Sequence, residues 1–278
     1  MTQIDFNKRL KEIKEIKSKN NFSKTNVNSL HKLPKLSGVL EFSFKEHIFF
    51  MLNLNNDDGV ALKYLYRDYY ENTSLSLWYD ISKQDGALLD VGAHTGIYTI
   101  ISNLANSKNN TISLEPYYMN YARLVSNLKL NNIDATNAIM CALSDECKQT
   151  KLQINTNHLY HTSGGKVSDA GNTPINTIEL DSLKVNKKVI GIKIDTEGHE
   201  HKVLKGGYNT IKNYLPDIIL EINKESFLQC FDMLKSLSYN AYYIDEENNK
   251  LSILENSNIN FDSTEGMNAF FSINKKII

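Results

Sequence analysis

The residues best suited to chemistry stand where two apolar segments end. Ala87–Val91 (ALLDV) runs into GAHTG at 92–96, and Thr111–Leu114 (TISL) runs into Glu115. Glycines in a turn after a strand let the backbone approach a ligand, and the helix that follows offers unpaired N–H groups. The G-x-x-x-G spacing is not the G-x-G-x-x-G of dinucleotide enzymes, and no P-loop Lys-Ser/Thr follows. These differences disfavour NAD and ATP as ligands.

Two carboxylates accompany this turn. Asp90 lies at the carboxyl end of the first segment, where it suits a ligand with an amine, and Glu115 follows 25 residues later. An acidic residue after the second strand accepts both ribose hydroxyls of an adenosine-containing ligand. Adenosine plus an amine describes S-adenosylmethionine. In the alternative interpretation, Gly92 and Gly96 only permit close packing and Glu115 caps the next helix, but the order of these features favours the cofactor.

A second polar group follows VIGIKI at 189–194. Lys193 and Asp195 project to the same face, and a lysine in a strand covered on both sides needs a partner. Glu221 ends the next apolar segment, so we expect Asp195 and Glu221 to be neighbours. They serve either as a general-base pair or as oxygen ligands of a divalent cation, and the sequence leaves both roles open. His199 is a candidate for deprotonating a hydroxyl, with a capping or exposed histidine as the alternative.

The elements that position these residues alternate in type from residue 86 onward, which is typical of an α/β fold with a mostly parallel sheet. The last two strands have no helix between them, which favours an antiparallel end to the sheet. We predict strands at Ala87–Val91, Thr111–Leu114, Thr136–Ala142, Val189–Ile194, Asp217–Ile222, Tyr239–Ile244 and Asn268–Ile273. Residues 151–183 read as an inserted hairpin, with Lys151–Asn155 and Ile175–Leu180 flanking a polar loop, Asn157–Asn172. Residues 81–278 form the predicted cofactor-binding domain.

Residues 1–80 form a helical and strand lead-in. Residues 1–35 carry a net charge of +6, which leaves −7 for the rest of the chain. Phe6, Leu10, Ile13 and Ile16 recur at helical spacing and predict an amphipathic helix. Its apolar stripe is expected to pack on the chain's own domain or on a second subunit, giving a homo-oligomer. The alternative is an anionic partner: a phosphate-bearing substrate, a lipid head group or nucleic acid.

Composition excludes several classes of protein. No segment approaches the ~18–20 apolar residues that cross a bilayer, and the first residues lack the apolar centre of a leader. Cys141, Cys147 and Cys230 lack the paired spacing of a zinc site or a disulfide framework. We therefore expect a protein of the cytoplasm.

Six segments of the chain together resemble the FkbM family of S-adenosylmethionine-dependent methyltransferases. They are DVGAHTGIYT, SLEP, CALSD, INTIELDSL, IKIDTEGHEHKVLKGG and PDIILEIN, and the resemblance covers about residues 60–245. It implies a class I methyltransferase (Rossmann-like) fold with a seven-stranded sheet and an antiparallel last strand. It also implies methyl transfer to oxygen, commonly on sugars of surface glycans or on secondary metabolites.

The resemblance also implies roles for single residues. The methionine part of the cofactor is expected at Asp90, Gly92, Ala93, His94 and Gly96, the ribose at Glu115 with Pro116, and the adenine at Ala142. Asp195 is expected beside the reactive methyl group, with Glu197, His199 and Glu221 on the acceptor side. We expect His199 or Asp195 to accept the proton of the acceptor and Glu221 to orient it.

Three rival functions are weaker. Methylation of a nucleobase amine usually needs a DPPY-like turn, whereas residues 195–198 read DTEG. An RNA hydroxyl as acceptor needs a basic surface, which the body of the chain lacks. A non-catalytic module that binds S-adenosylmethionine is the remaining alternative, against which the intact set of Asp195, His199 and Glu221 argues.

Overall fold

The computed structural model describes residues 3–154, 164–222, 224, 226–255 and 267–275 of the chain. The lead-in combines helices with one hairpin. Its elements are α1 (Gln3–Lys19), α2 (Val27–Leu30), β1 (Ser37–Phe44), β2 (His47–Leu54), α3 (Gly59–Arg67) and α4 (Asn72–Ser82). Strands β1 and β2 pair antiparallel as a sheet of their own.

The predicted amphipathic helix is α1, and its apolar stripe packs on the lead-in of the same chain. Ile13 is buried in one cluster with Leu30 and Leu36, and Phe6 and Leu10 lie at the edge of that cluster. Burial of the stripe leaves the basic residues on the outer faces of the helix, as expected for a surface helix.

The rest of the chain alternates strands and helices as predicted. The elements in order are β3 (Ala87–Val91), α5 (Ile97–Ala105), β4 (Asn110–Leu114), α6 (Tyr118–Leu130), β5 (Ala138–Ile139), β6 (Ala142–Leu143), β7 (Lys148–Gln153), β8 (Lys166–Val167), β9 (Thr173–Ile178), β10 (Val189–Ile194), α7 (Glu200–Gly206), α8 (Tyr208–Tyr214), β11 (Asp217–Ile222), α9 (Phe227–Ser236), β12 (Asn240–Asp245), β13 (Lys250–Ile253) and β14 (Met267–Ser272).

The main sheet has the strand order β13-β12-β14-β11-β10-β3-β4-β5. Strands β5, β4, β3, β10 and β11 pair parallel, and β14 runs antiparallel between β11 and β12. This arrangement confirms the class I methyltransferase fold and its antiparallel last strand. Among the described residues, the main sheet has one strand more than predicted, β13, because Asn248 donates to the Asp245 side chain and closes a tight turn that folds the chain back onto β12.

The segment predicted as one strand over Thr136–Ala142 is two short strands. Strand β5 belongs to the main sheet, whereas β6 pairs with β9 in a second sheet of order β6-β9-β7-β8. The predicted hairpin is the antiparallel pair β7 and β9 within this second sheet. Residues 157–163 of the predicted polar loop lie outside the described residues, as does Asn155 at the end of the predicted strand before it.

Helices cover both faces of the main sheet, as its buried strands require. One apolar cluster joins one face of the sheet to α7, α8 and α9, and a second joins the opposite face to α4, α5 and α6. Every residue of β3 is buried, and the carboxyl ends of β3, β4, β10 and β11 point to the same edge. No helix within the described ranges is long and apolar enough to cross a membrane.

Candidate functional site

A cavity of about 640 Å³ lies at this edge of the sheet. Its volume falls within the ~300–1,000 Å³ of small-molecule sites. The cavity brings together nearly all of the predicted site residues: Asp90, Gly92, Ala93, His94, Glu115, Pro116, Ala142, Asp195, Glu197, His199 and Glu221. Gly96 is the predicted residue that does not line it.

The glycine turn after β3 is held by its neighbours. Gly92 has φ +78° and Gly96 has φ +96°, a region that favours glycine. A Cβ on Gly96 would lie 2.5 Å from the Leu124 side chain, so Gly96 serves close packing of the turn against α6. The N–H groups of Gly92 and Ala93 both donate to the carbonyl oxygen of Leu114. The turn is therefore fixed to the end of β4, beside Glu115.

Glu115 links the glycine turn to the start of α6. One oxygen accepts from the N–H of His94 at 2.9 Å, and the other accepts from the N–H of Tyr117 at 2.9 Å, where α6 begins. Burial raises the pKa of Glu115 to about 7, although these hydrogen bonds act to lower it. The Asn120 side chain donates to the second oxygen as well, at 3.3 Å, so one of the four lone pairs of the carboxylate remains for a ligand in the cavity that Glu115 lines.

Asp90 is buried beneath the turn. Thr99 donates to its carboxylate at 2.6 Å, and Ser113 lies 2.6 Å from the same hydroxyl. Burial raises the pKa of Asp90 to about 6, against the lowering effect of Thr99. Sequence reasoning missed Thr99, although its place on α5 near Asp90 follows from the strand-turn-helix arrangement.

The wall of the cavity near β6 is apolar. Ala142 and Leu152 are buried in one cluster, and Tyr117 and Val167 pack against it. All four residues line the cavity, as does Pro116. A flat, apolar wall of this kind suits an aromatic base.

Lys193 is 1% exposed and reaches the cavity from within β10. Its Nζ donates to Asn268 Oδ1 at 3.0 Å and lies 3.5 Å from a carboxylate oxygen of Asp195. The ring of Tyr98 lies 5.1 Å from the same Nζ, within the range of a cation–π interaction. The sequence predicted that the buried Lys193 needs a partner, and the structure provides three: Asn268, Asp195 and Tyr98.

Glu71 completes this group and was not foreseen from the sequence. Tyr98 donates to its Oε2 at 2.6 Å, and Asn268 donates to the same oxygen at 3.1 Å. Because Glu71 precedes α4 and Asn268 lies in β14, the lead-in contributes directly to the site. No local sequence pattern marks a contact between residues 197 positions apart.

Glu221 and Glu197 line the same cavity as Asp195. Burial raises the pKa of Glu221 well above its usual range, and the carboxylates of Asp195 and Glu197 raise it further. Oε2 of Glu221 is buried and has no hydrogen-bond partner among the described residues. Glu197 accepts from the N–H of Gly164 at 3.0 Å. The cavity thus brings Asp195 and Glu221 together, as expected from the sequence.

His199 lines the cavity but is a poor base at neutral pH. Burial lowers the pKa of His199 to about 4, and Lys202 and His201 lower it further. Its Nε2 lies 3.0 Å from the Ser144 hydroxyl. His199 is therefore neutral near pH 7 and is held by Ser144.

The turn between β10 and α7 is shaped by Glu200. This residue is fully buried, and its Oε1 accepts from the N–H groups of Thr196 and Gly198 at 3.1 and 2.9 Å. Its other oxygen accepts from Ser226 at 2.5 Å. Among the residues described, no group of three or more His, Cys, Asp or Glu side chains is arranged to hold a metal ion.

Comparison with solved structures gives weak matches. Methyltransferase FkbM from Methylobacillus flagellatus KT is 14% identical, with a TM-score of 0.46, over 77% of this chain and 55% of that chain. An rRNA methylase from Streptococcus thermophilus is 10% identical, with a TM-score of 0.45, over 72% and 94%. TYW2 from M. jannaschii in complex with AdoMet is 10% identical, with a TM-score of 0.38, over 84% of each chain. The present chain thus spans just over half the length of the first of these.

No curated protein matches the chain. The sequence model of the methyltransferase FkbM domain matches residues 90–241, which is just over half of the chain. The matched range runs from the end of β3 into β12. It contains all of the predicted site residues, from Asp90 to Glu221, and leaves the lead-in outside.

Proposed function

This chain belongs to the FkbM family of methyltransferases, and we propose that it is an S-adenosylmethionine-dependent O-methyltransferase acting on a hydroxyl of a sugar, a glycan or a secondary-metabolite precursor. One observation carries this proposal. A single cavity is lined both by the glycine turn with Glu115 and by the carboxylates of Asp195 and Glu221. The first group suits an adenosyl cofactor, and the second suits the removal of a proton from a hydroxyl.

The residues present fit S-adenosylmethionine. Glu115 has acceptor capacity for a ribose hydroxyl, and the apolar wall with Ala142 and Tyr117 accommodates the adenine. The turn at Ala93 and His94, above the buried carboxylate of Asp90, would hold the methionine part. When bound, the cofactor supplies a methyl group that its sulfonium has already activated.

The chain's own residues then have to orient the acceptor and remove its proton. Asp195 and Glu221 form the proton-accepting pair, because the raised pKa of Glu221 enables it to hold a proton near neutral pH. Lys193, fixed by Asn268, keeps the Asp195 carboxylate in place. His199 serves as a neutral hydrogen-bonding group, since the low pKa of His199 makes it a weak base.

The acceptor side favours a polyhydroxylated molecule. Tyr70 offers an aromatic face, and Glu71 and Glu197 offer carboxylates to hydroxyl groups. Asn28 and Lys63 add polar groups from the lead-in. The excess of carboxylates disfavours a polyanion such as RNA. We include in the proposal that residues 1–80 act as an acceptor-binding unit beside the domain of residues 81–278, and that the reaction takes place in the cytoplasm.

The test is transfer of a deuterated methyl group from S-adenosylmethionine to glycans and small metabolites extracted from the source cells. Mass spectrometry is expected to find the label on oxygen in a sugar-containing product. The Asp195→Asn variant is expected to transfer at least 100-fold less label (on the order of the loss seen for a positioned base), whereas Glu41→Gln, on the exposed face of β1, is expected to match the unaltered protein. Label on nitrogen or carbon contradicts O-methyl transfer.

A further inference from the structure

The cavity is lined by more carboxylates than cations. Its carboxylates are Glu71, Asp90, Glu115, Asp195, Glu197 and Glu221, and the lysines among the described lining residues are Lys63 and Lys193. Lys193 is already committed to Asn268 and Asp195, and Nζ of Lys63 lies 5.1 Å from the ring of Tyr70. The cavity is therefore suited to a ligand that brings positive charge.

Glu221 is the carboxylate of the cavity with the clearest need for a cationic partner. Its Oε2 is buried without a hydrogen-bond partner among the described residues. The charged groups that act on it come from β10 and the turn after it: Asp195, Glu197, Lys193 and, at the start of α7, Glu200. In the lead-in, the charge of Glu221 helps to raise the pKa of Tyr70. Three of the four charged neighbours are carboxylates, and a buried carboxylate in such surroundings is costly unless a cation offsets it.

We infer that Glu221, together with Asp195, forms the counter-charge for the sulfonium of S-adenosylmethionine, so that the cavity binds the charged cofactor more tightly than the neutral product S-adenosylhomocysteine. The inference rests on the proposed function, because it takes S-adenosylmethionine to be the cofactor. The two ligands share adenosine, a carboxylate and an amine, and they differ by one methyl group and its positive charge. The ratio of their affinities therefore measures how the charge of the cavity wall near the sulfur atom affects binding.

Two consequences follow for the reaction. Loss of the positive charge on methyl transfer weakens the hold on the product, which favours its release. Binding of the charged ligand also favours the ionised form of Glu221, because the sulfonium replaces the cation that Glu221 lacks. Binding of S-adenosylmethionine is then accompanied by release of a proton, and binding of S-adenosylhomocysteine is not.

The experiment is calorimetric titration of the full chain with S-adenosylmethionine, S-adenosylhomocysteine and sinefungin, whose protonated amine replaces the sulfonium methyl group. We expect S-adenosylhomocysteine to bind about tenfold more weakly than the two cations, which corresponds to about 1.4 kcal/mol. In Glu221→Gln the ratio should fall to about twofold or less, since one carboxylate is lost from the wall. Glu115→Ala should weaken all three ligands by the same factor and leave the ratio unchanged.

The outcomes separate this inference from the proposed function. Equal affinities for the charged and neutral ligands, or an unchanged ratio in Glu221→Gln, overturn the inference and leave the cofactor assignment intact. Failure of every adenosyl ligand to bind overturns the proposed function itself. Should Glu221→Gln fail to fold, the unaltered protein is titrated in two buffers of different ionisation enthalpy. More protons released with S-adenosylmethionine than with S-adenosylhomocysteine support the inference, and equal numbers contradict it.

Discussion

Gly92 and Asp195 meet so closely that a Cβ on Gly92 would lie 1.8 Å from the carbonyl oxygen of Asp195. Gly92 leaves β3 with φ +78°, and the N–H of Asp195 donates to the carbonyl oxygen of Val91 at 3.0 Å. The glycine turn after β3 and the end of β10 that carries Asp195 are therefore one packed unit. A change at Gly92 must move Asp195.

We expect Gly92→Ala to lower the free energy of unfolding by at least about 3 kcal/mol, since the methyl group meets backbone that cannot rotate away. Gly164 is the matched control, because its φ is +82° but no atom of the described residues lies within 4 Å of its Cβ position. Gly164→Ala should cost only the conformational strain, about 1 kcal/mol. Urea denaturation measures both, and equal losses would show that the contact with Asp195 is unimportant.

A second prediction concerns Lys193. Burial lowers the pKa of Lys193, but the carboxylates of Asp195, Glu71, Glu221 and Asp90 outweigh burial and raise that pKa. Replacement by methionine leaves buried carboxylates without their cation, so we expect Lys193→Met to lower the free energy of unfolding by about 3–5 kcal/mol.

The control for Lys193 is an exposed lysine in an ion pair. Lys205 lies 2.8 Å from a carboxylate oxygen of Asp145, and its side chain is 71% exposed. Lys205→Met should change the free energy of unfolding by less than about 1 kcal/mol, because water screens such pairs. Similar losses in the two variants would mean that Lys193 contributes no more than a surface lysine.

A third prediction follows from the pKa of Glu115, which burial raises from the usual 4.5 to about 7. Between these values the folded state binds a proton that the unfolded state does not, so stability falls as pH rises through this window. The stability of Glu115→Gln relative to the unaltered protein should therefore improve between pH 5 and pH 8, by up to about 3 kcal/mol. Denaturation without ligand at several pH values measures this, and a pH-independent difference would contradict it.

The pH dependence of His199 has the opposite sign. Because the pKa of His199 is lowered from 6.5 to about 4, the unfolded state takes up a proton first as the pH falls. Stability should drop between pH 6.5 and pH 4, and His199→Gln should make that drop less steep. A His47→Gln variant, at the start of β2 and away from the cavity, is the control for the effect of replacing a histidine by glutamine. If both variants lose stability with the same steepness as the pH falls, the lowered pKa of His199 is contradicted.

The sequence predicted the site residues whose positions follow from the order of strands along the chain. Asp90, Glu115, Asp195 and Glu221 each end a strand of one parallel sheet, and strand ends of a parallel sheet meet at one edge. Hydrophobic periodicity and strand order therefore sufficed to bring them to one cavity.

The remaining part of the site depends on contacts between distant segments. Glu71, Tyr98 and Asn268 meet around Lys193, but they come from the lead-in, a crossover helix and the last described strand. The strand break near Met140 was also missed, because it reflects the passage of the chain from one sheet to the other. The family resemblance placed Gly96 at the cofactor, whereas Gly96 does not line the cavity and a Cβ on it would meet the side chain of Leu124.

The most direct test of the central claim is calorimetric titration of the chain with S-adenosylmethionine and with NAD, repeated with Glu115→Ala and with the surface control Glu41→Ala. We expect S-adenosylmethionine to bind with micromolar affinity, at least about tenfold more weakly in Glu115→Ala because charged hydrogen bonds are lost, and equally well in Glu41→Ala. Binding of NAD in place of S-adenosylmethionine, or equal binding of S-adenosylmethionine by both variants, would contradict this expectation.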